Sequence, residues 1–259
     1  MTTLDIKHGG DGTPERPYHE TYTQASHFRS KDEEFDAVKI GMWLFLATEV
    51  LLFAGLFVGY AIFRMMHPEA FANGSHYLDW KWGCLNTIVL LFSSWTIATA
   101  IGNAQRNEQK ALRRNLLITI ACALLFVGIK LTFEYMPKWS GWFLAIDPAL
   151  SHYESSKSAL GGLLHFVEGY GGKRPGSLFD YPFAENAYEP MWWSIYYCAT
   201  GIHATHVLIG VGLIGWLYLR ARKLHFGPGH YNAVEIVGLY WHIVDLIWIF
   251  LFPLLYLIH

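Results

Sequence analysis

Five runs of apolar residues, each long enough to cross a bilayer, constrain this chain more than any other feature. A hydrocarbon layer about 30 Å thick is crossed by roughly 20 helical residues. Runs of that size fall at residues 38–64, 83–104, 116–135, 191–219 and 236–258. The pattern predicts an all-α integral membrane protein, a bundle of five transmembrane helices. Composition agrees, since 53% of residues are hydrophobic and only 15% charged, a balance that suits the bilayer as solvent better than a single water-soluble core. The formal net charge of -2 and the lack of a Lys/Arg block argue against a nucleic-acid partner. Cys84, Cys122 and Cys198 lie singly inside apolar runs without a Cys-x-x-Cys spacing, so they read as small buried hydrophobes rather than ligands.

The segments between the runs set the organisation. Residues 1–36 form a polar arm with a Gly-Asp-Gly-Thr-Pro turn cluster, and 37–259 make the membrane domain. Gly55 and Gly59 on the first run form a small-xxx-small pair of the kind that lets helices approach closely. Asn86, Thr87, Ser93 and Ser94 give the second run hydroxyls and an amide to bond across to a neighbour. The connection 136–189 is far longer than the usual link between membrane helices and reads as a functional outer loop. Its His152, Glu154, His165 and Glu168 lack a metal-ligand spacing.

Basic residues fix the expected orientation. Lys31 and Lys39, then Arg106, Lys110, Arg113 and Arg114, then Arg220, Arg222 and Lys223 flank the runs on one side, while the opposite links are sparsely basic. The positive-inside rule then places the N-terminus in the cytoplasm and the C-terminus in the periplasm. An odd number of spans requires the same separation.

Ionisable groups within the runs need a reason, because a charge at bilayer depth costs about 3 kcal/mol or more. They are Glu49, Lys130, Glu134, His203, His206, His242 and Asp245. Lys130 and Glu134 stand four apart, which permits an ion pair along one helix face. His203 and His206, and likewise His242 and Asp245, stand three apart on a shared face. Residue type alone leaves three uses open: a metal or haem site, a proton path, or hydrogen-bonded pairing that pins helices together. Trp241 and Trp248 are read as lipid or interface residues, and Trp139 and Trp142 of the long connection suit the membrane interface.

Five motifs carry a family resemblance. They are GMWLFLATEVLLFAGLF in the first run, LNTIVLLFSSWT in the second, FEY closing the third, TGIHATHVLIG in the fourth and YWHIVDLIWIFLF in the fifth. Together and in this order they resemble subunit III of the haem-copper cytochrome c oxidases, in a short form without the first two of the seven helices of the mitochondrial type. The resemblance implies an accessory subunit of a proton-pumping terminal oxidase in a bacterial inner membrane, packed against subunits I and II. Those partners hold the haem and copper. This chain is expected to hold no cofactor, no metal and no catalytic residue of its own, to bind phospholipid, and to support proton uptake and the durability of the oxidase.

Carried over position by position, Glu49 matches the family's mid-membrane glutamate, Glu134 its Glu-Tyr carboxylate, His203 and His206 its helix-borne histidines, and Trp241, His242 and Asp245 its Trp-His-x-x-Asp run. Glu49 is the residue on which a functional role is placed, with structural pairing to His206 or His242 as the other reading. His242 and Asp245 read as part of a clasp with His203 or His206 on the neighbouring helix. The family often has Gln where this chain has Leu131, and Lys130 stands beside that position as its replacement, paired with Glu134. The outer loop is expected to cover part of subunit II, a cytochrome c domain or a supercomplex partner. Two rivals are the related accessory protein of nitric oxide reductase and a free-standing membrane haem or metal protein.

Overall fold

The structure, a computed structural model, describes residues 17–75, 78–135 and 188–258. Most of the 136–189 connection, with the partner surface expected of it, and residues 1–16 of the arm lie outside the described residues. A short turn of helix, α1 (Tyr18–Thr21), precedes α2 (Lys31–Met66), α3 (Pro68–Ser75), α4 (Trp80–Gln105), α5 (Gln109–Ile129), α6 (Glu189–Arg222) and α7 (Asn232–Tyr256). Five of these, α2, α4, α5 with its continuation to Tyr135, α6 and α7, are long and apolar enough to cross a membrane.

Two of the long helices, α2 and α4, start where the sequence supplies a side-chain cap. Ser30 accepts from the Glu33 amide at 3.1 Å, and the Glu33 carboxylate accepts from the Arg29 amide at 2.8 Å. Asp32, Glu33 and Glu34 then complement the positive end of the helix dipole. The helix therefore begins inside the polar arm and ends at Met66, just ahead of Pro68. At 36 residues it is about 54 Å long, so its first turns stand beyond a 30 Å apolar layer. Asp79 caps α4 through the Lys81 amide at 2.9 Å. Between α4 and α5 the chain reverses at Asn107, whose φ of 59° falls in the left-handed region that Asn tolerates better than most residues.

Beyond Ile129, α5 continues as a π-helical turn, Lys130–Tyr135. Between α6 and α7, Gly227 and His230 exchange backbone hydrogen bonds of 3.2 and 2.9 Å around Pro228 and Gly229.

Four helices close a ring: α4 packs on α5, α5 on α6, α6 on α7 and α7 on α4. Helix α2 leans on α6 and α7 from outside, and α3 packs on α6. Half of the apolar stretch of α7 (50%) is buried against other helices, but only 11% of that of α2. The last helix is thus the hub, and α2 is its most loosely held neighbour.

Polar side chains of α4 register the ring. Thr96 and Thr119 share a hydroxyl contact of 2.8 Å with α5, and Asn115 donates to Thr99 at 3.0 Å. Toward α7, the Trp241 indole donates to Ser93 at 3.0 Å and the Trp248 indole to Thr87 at 3.1 Å. In hydrocarbon such bonds are worth about 1 kcal/mol each, so their contribution is to fix register as much as to add strength.

These contacts correct the reading of the two tryptophans. Trp241 and Trp248 are each 1% exposed and fill the core rather than a lipid-facing surface. An indole prefers the membrane interface when its N–H would otherwise go unbonded, but here α4 supplies hydroxyls within the bundle. Residues such as Trp43 and Trp95 take the outward positions instead.

Candidate functional site

The intramembrane ionisable groups other than His203 sort into three clusters, each tying two or more helices. The first joins α2 to α6. Glu49 Oε2 lies 2.7 Å from His206 Nε2, and the pair is nearly buried, at 16% and 14% exposure. His206 Nδ1 is 2.8 Å from the Ile202 carbonyl, which can only accept, so Nδ1 carries a hydrogen. One proton must then lie between Nε2 and the carboxyl oxygen. The pair is either imidazolium with carboxylate or neutral imidazole with carboxylic acid, and in both forms its net charge is zero. That neutrality suits a membrane helix, where an isolated charge is costly. Tyr240 donates to the His206 carbonyl at 3.0 Å, and Phe53 lies edge-on to the imidazole.

The second cluster lies in the π-helical turn at the Tyr135 end of the bundle. Lys130 and Glu134 are each 3% exposed and form an ion pair. The Lys130 ammonium also donates to the Tyr256 hydroxyl, Tyr256 donates to Glu134, and Tyr196 donates to the same carboxylate oxygen at 3.0 Å. Around the ammonium stand Trp248, Tyr256 and Tyr196, with ring centroids 4.9, 5.1 and 5.2 Å away. Cation–π attraction at buried sites reaches about 2 kcal/mol. A lysine is thus kept among α5, α6 and α7 by one carboxylate, one hydroxyl and an aromatic cage. Beside it, Tyr135 and Thr200 share a hydroxyl contact of 2.6 Å.

The third cluster joins α4 to α7. Ser94 Oγ is 2.7 Å from His242 Nδ1 and also sits against the Asp245 carboxyl. The clasp expected between His242 or Asp245 and the histidines of α6 is therefore replaced by one to α4. The reason is topological: the face of α7 that carries His242 turns toward Ser94, whereas the α6 side is met by Tyr240. His203 stands apart from all three clusters. It is fully buried, edge-on to Phe126 at 5.6 Å and tilted on Trp248 at 5.2 Å, and neither ring nitrogen has a hydrogen-bond partner among the described residues.

The structure thus brings Glu49 to His206 and Lys130 to Glu134, and it leaves His203 and Asp245 out of both pairs. Tyr196 and Tyr256 are contributors that sequence reasoning missed, whereas Ser94 bonds across to a neighbouring helix as the sequence suggests. The available signal was burial itself: a lysine inside an apolar run needs more than one carboxylate to satisfy its three donors. Among the described residues no three His, Cys, Asp or Glu side chains converge in a way that could hold a metal ion. Chemically, the three clusters pair charges and hold helices, and the Glu49 pair can in addition share a proton.

Comparison with known proteins bears on this arrangement. Residues 181–259 match the family model described as cytochrome c oxidase subunit III. Cytochrome c oxidase subunit 3 of Thermostichus vulcanus is 29% identical over 224 residues, covering 85% of this chain and 86% of that protein. Its counterpart in Corynebacterium diphtheriae is 28% identical over 223 residues, with 85% and 88% covered. A probable quinol oxidase subunit 3 of Staphylococcus aureus strain USA300 is 26% identical over 233 residues, with 88% and 92% covered.

Proposed function

The chain belongs to the cytochrome c oxidase subunit III family, and on that premise we propose that it is the non-redox accessory subunit of a proton-pumping haem-copper terminal oxidase. Its partners are subunits I and II, which hold the haem and copper, and the complex works in aerobic respiration in a bacterial inner membrane. The N-terminus faces the cytoplasm and the C-terminus the periplasm, as the flanking basic residues favour. On the same reading the subunit binds phospholipid. The subunit supports the stability and the proton uptake of subunit I.

The observation that carries the reading is the use to which the intramembrane ionisable groups are put. Glu49, Lys130, Glu134, His206 and His242 each engage another side chain of this chain. Such pairing suits a subunit that holds a shape for its partner. Glu49 is the group in this set best placed to act beyond holding shape, because its contact with His206 contains a transferable proton.

Purification in mild detergent through a tag on this chain tests the proposal. The expected result is co-purification of haem-bearing subunit I with subunit II, and a colourless preparation when this chain is isolated alone. A Soret band from the isolated chain, or a nitric oxide-reducing partner in place of an oxygen-reducing one, would overturn it. Whether the complex oxidises cytochrome c or quinol is read from the same preparation. In the intact oxidase, Glu49→Gln is expected to keep the initial rate of oxygen reduction and to shorten the number of turnovers before activity decays. An unchanged decay would remove Glu49 from any functional role.

A further inference from the structure

The end of the bundle that carries the N-terminal arm contains ring contacts that none of the three clusters uses. His225 and His230 flank the Gly-Pro-Gly reversal between α6 and α7. Tyr18 of the arm lies on His225 with ring centroids 4.5 Å apart, and Tyr22 lies on His230 at 3.9 Å. Between them His19 enters the reversal. Its Nδ1 donates to the Leu224 carbonyl at 3.1 Å, and its ring presses on Gly227 where any Cβ would collide. Only glycine leaves that slot open.

The receiving surface is itself anchored. Gln109, at the start of α5, donates to the Phe226 carbonyl at 2.6 Å, and Lys39 of α2 pairs with Glu235 of α7 at 2.7 Å. The arm is the lighter partner, held by one slot, three ring contacts with His225 and His230, and the Tyr22 hydroxyl on Glu34 at 2.8 Å. Burial and the Glu34 carboxylate push Tyr22 up to about 12, so that hydroxyl remains a donor across the physiological range.

We propose that residues 17–30 form a pH-released strap, which seats on the α6–α7 reversal at neutral pH and detaches when His225 and His230 take up protons. The groups that face each imidazole set the sign. His225 meets Tyr18 from the arm and lies near Arg220 and Lys223 at the end of α6. His230 meets Tyr18 and Tyr22 from the arm, Glu34 and Lys31 from α2, and Arg220 and His225 from its own side.

Burial disfavours the imidazolium at both positions, and the cations add to it. Glu34 opposes at His230 without reversing the direction, so both histidines titrate below the ordinary range. A protonated ring over tyrosine would gain about 0.5–1 kcal/mol of cation–π attraction at an exposed site. Against that, each imidazolium would lose hydration in the docked state and would lie near two fixed cations, Arg220 and Lys223 at His225, Arg220 and Lys31 at His230. Because the docked values are depressed, docking is at full strength above the free histidine value near 6.5 and weakens as pH falls from there through the docked values.

Distance measurement between spin labels tests this on the full chain in nanodiscs. Labels at Thr23→Cys and Lys110→Cys, in a Cys84→Ala, Cys122→Ala, Cys198→Ala background that retains its helicity, report arm against α5. One narrow distance distribution is expected at pH 7.5, and a second, longer population below pH 6. In His225→Phe/His230→Phe the rings remain but cannot titrate, so the narrow distribution should persist at both pH values. Gly227→Ala should give the longer population at both, because its methyl fills the His19 slot. An unchanged distribution at low pH, or a pH shift that survives in the double phenylalanine variant, would overturn the strap. A docked arm in Gly227→Ala would overturn the slot.

Discussion

Lys130 shows how a residue that looks unfavourable in a membrane helix becomes a fastening. Its ammonium is buried with Glu134 among Tyr196, Tyr256 and Trp248, so removing one partner strands the other. Lys130→Met or Glu134→Gln should each destabilise the subunit by about 3–5 kcal/mol. The double variant Lys130→Met/Glu134→Met should recover much of that loss, since it leaves no uncompensated charge, although the hydroxyls of Tyr196 and Tyr256 then lack their acceptor. Thermal denaturation of the complex, followed by release of this subunit, distinguishes the three. Equal loss in single and double variants would mean that the aromatic cage, not the ion pair, holds the three helices. Of this cluster the sequence displays the Lys130–Glu134 spacing, because four residues is a local distance along one helix. It hides Tyr196 and Tyr256, which lie 62 and 122 residues from Glu134 and meet it only through the ring closure. Trp248 was misjudged for the same reason: its hydroxyl partner, Thr87, is 161 residues away.

Helix crossings carry the same lesson for glycine. The Gly55 and Gly59 pair on α2 has the spacing of a close-approach motif, yet a Cβ at either position would meet nothing within 4 Å. The tight approach is elsewhere. At Gly210 of α6 a Cβ would stand 2.7 Å from the Trp241 ring, and a rigid indole buried on α7 cannot yield as a flexible side chain would. Gly210→Ala should therefore cost about 1–3 kcal/mol. Gly55→Ala and Gly59→Ala should change the stability of the isolated chain by less than about 0.5 kcal/mol, measured as the detergent or heat midpoint. If the alanines on α2 weaken only the assembled complex, a partner helix uses that face. The sequence made five helices legible because length and apolarity are properties of each run by itself. It left undecided which glycine is crossed, because that depends on which faces meet, and glycine is common in membrane helices for several reasons.

For the molecule as a whole, the ring of α4 to α7 and the outlying α2 amount to two levels of attachment. The ring is held by buried aromatic packing and by polar contacts on adjoining helices. By contrast, α2 is fixed mainly by Glu49 on His206, Lys39 on Glu235, and the Tyr60 hydroxyl on the Leu254 carbonyl. Removing the first of these should loosen α2 without loosening the ring. If the pair is held as imidazolium with carboxylate, the lost contact is worth about 1.5–3 kcal/mol. Each 1.4 kcal/mol changes an opening equilibrium tenfold, so Glu49→Ala should raise hydrogen exchange in α2 by roughly one to two orders of magnitude. Mass spectrometry of peptides from residues 42–62 and 236–254, on the full chain in nanodiscs, reads both levels at once. Faster exchange in the first peptide alone is the expected outcome. Equal acceleration in both would make α2 an integral wall of one cooperative unit, and no change in either would reduce the Glu49–His206 contact to a bystander. Within the oxidase the acceleration should shrink, because a catalytic subunit covering α2 would supply the hold that this chain alone provides at so few points.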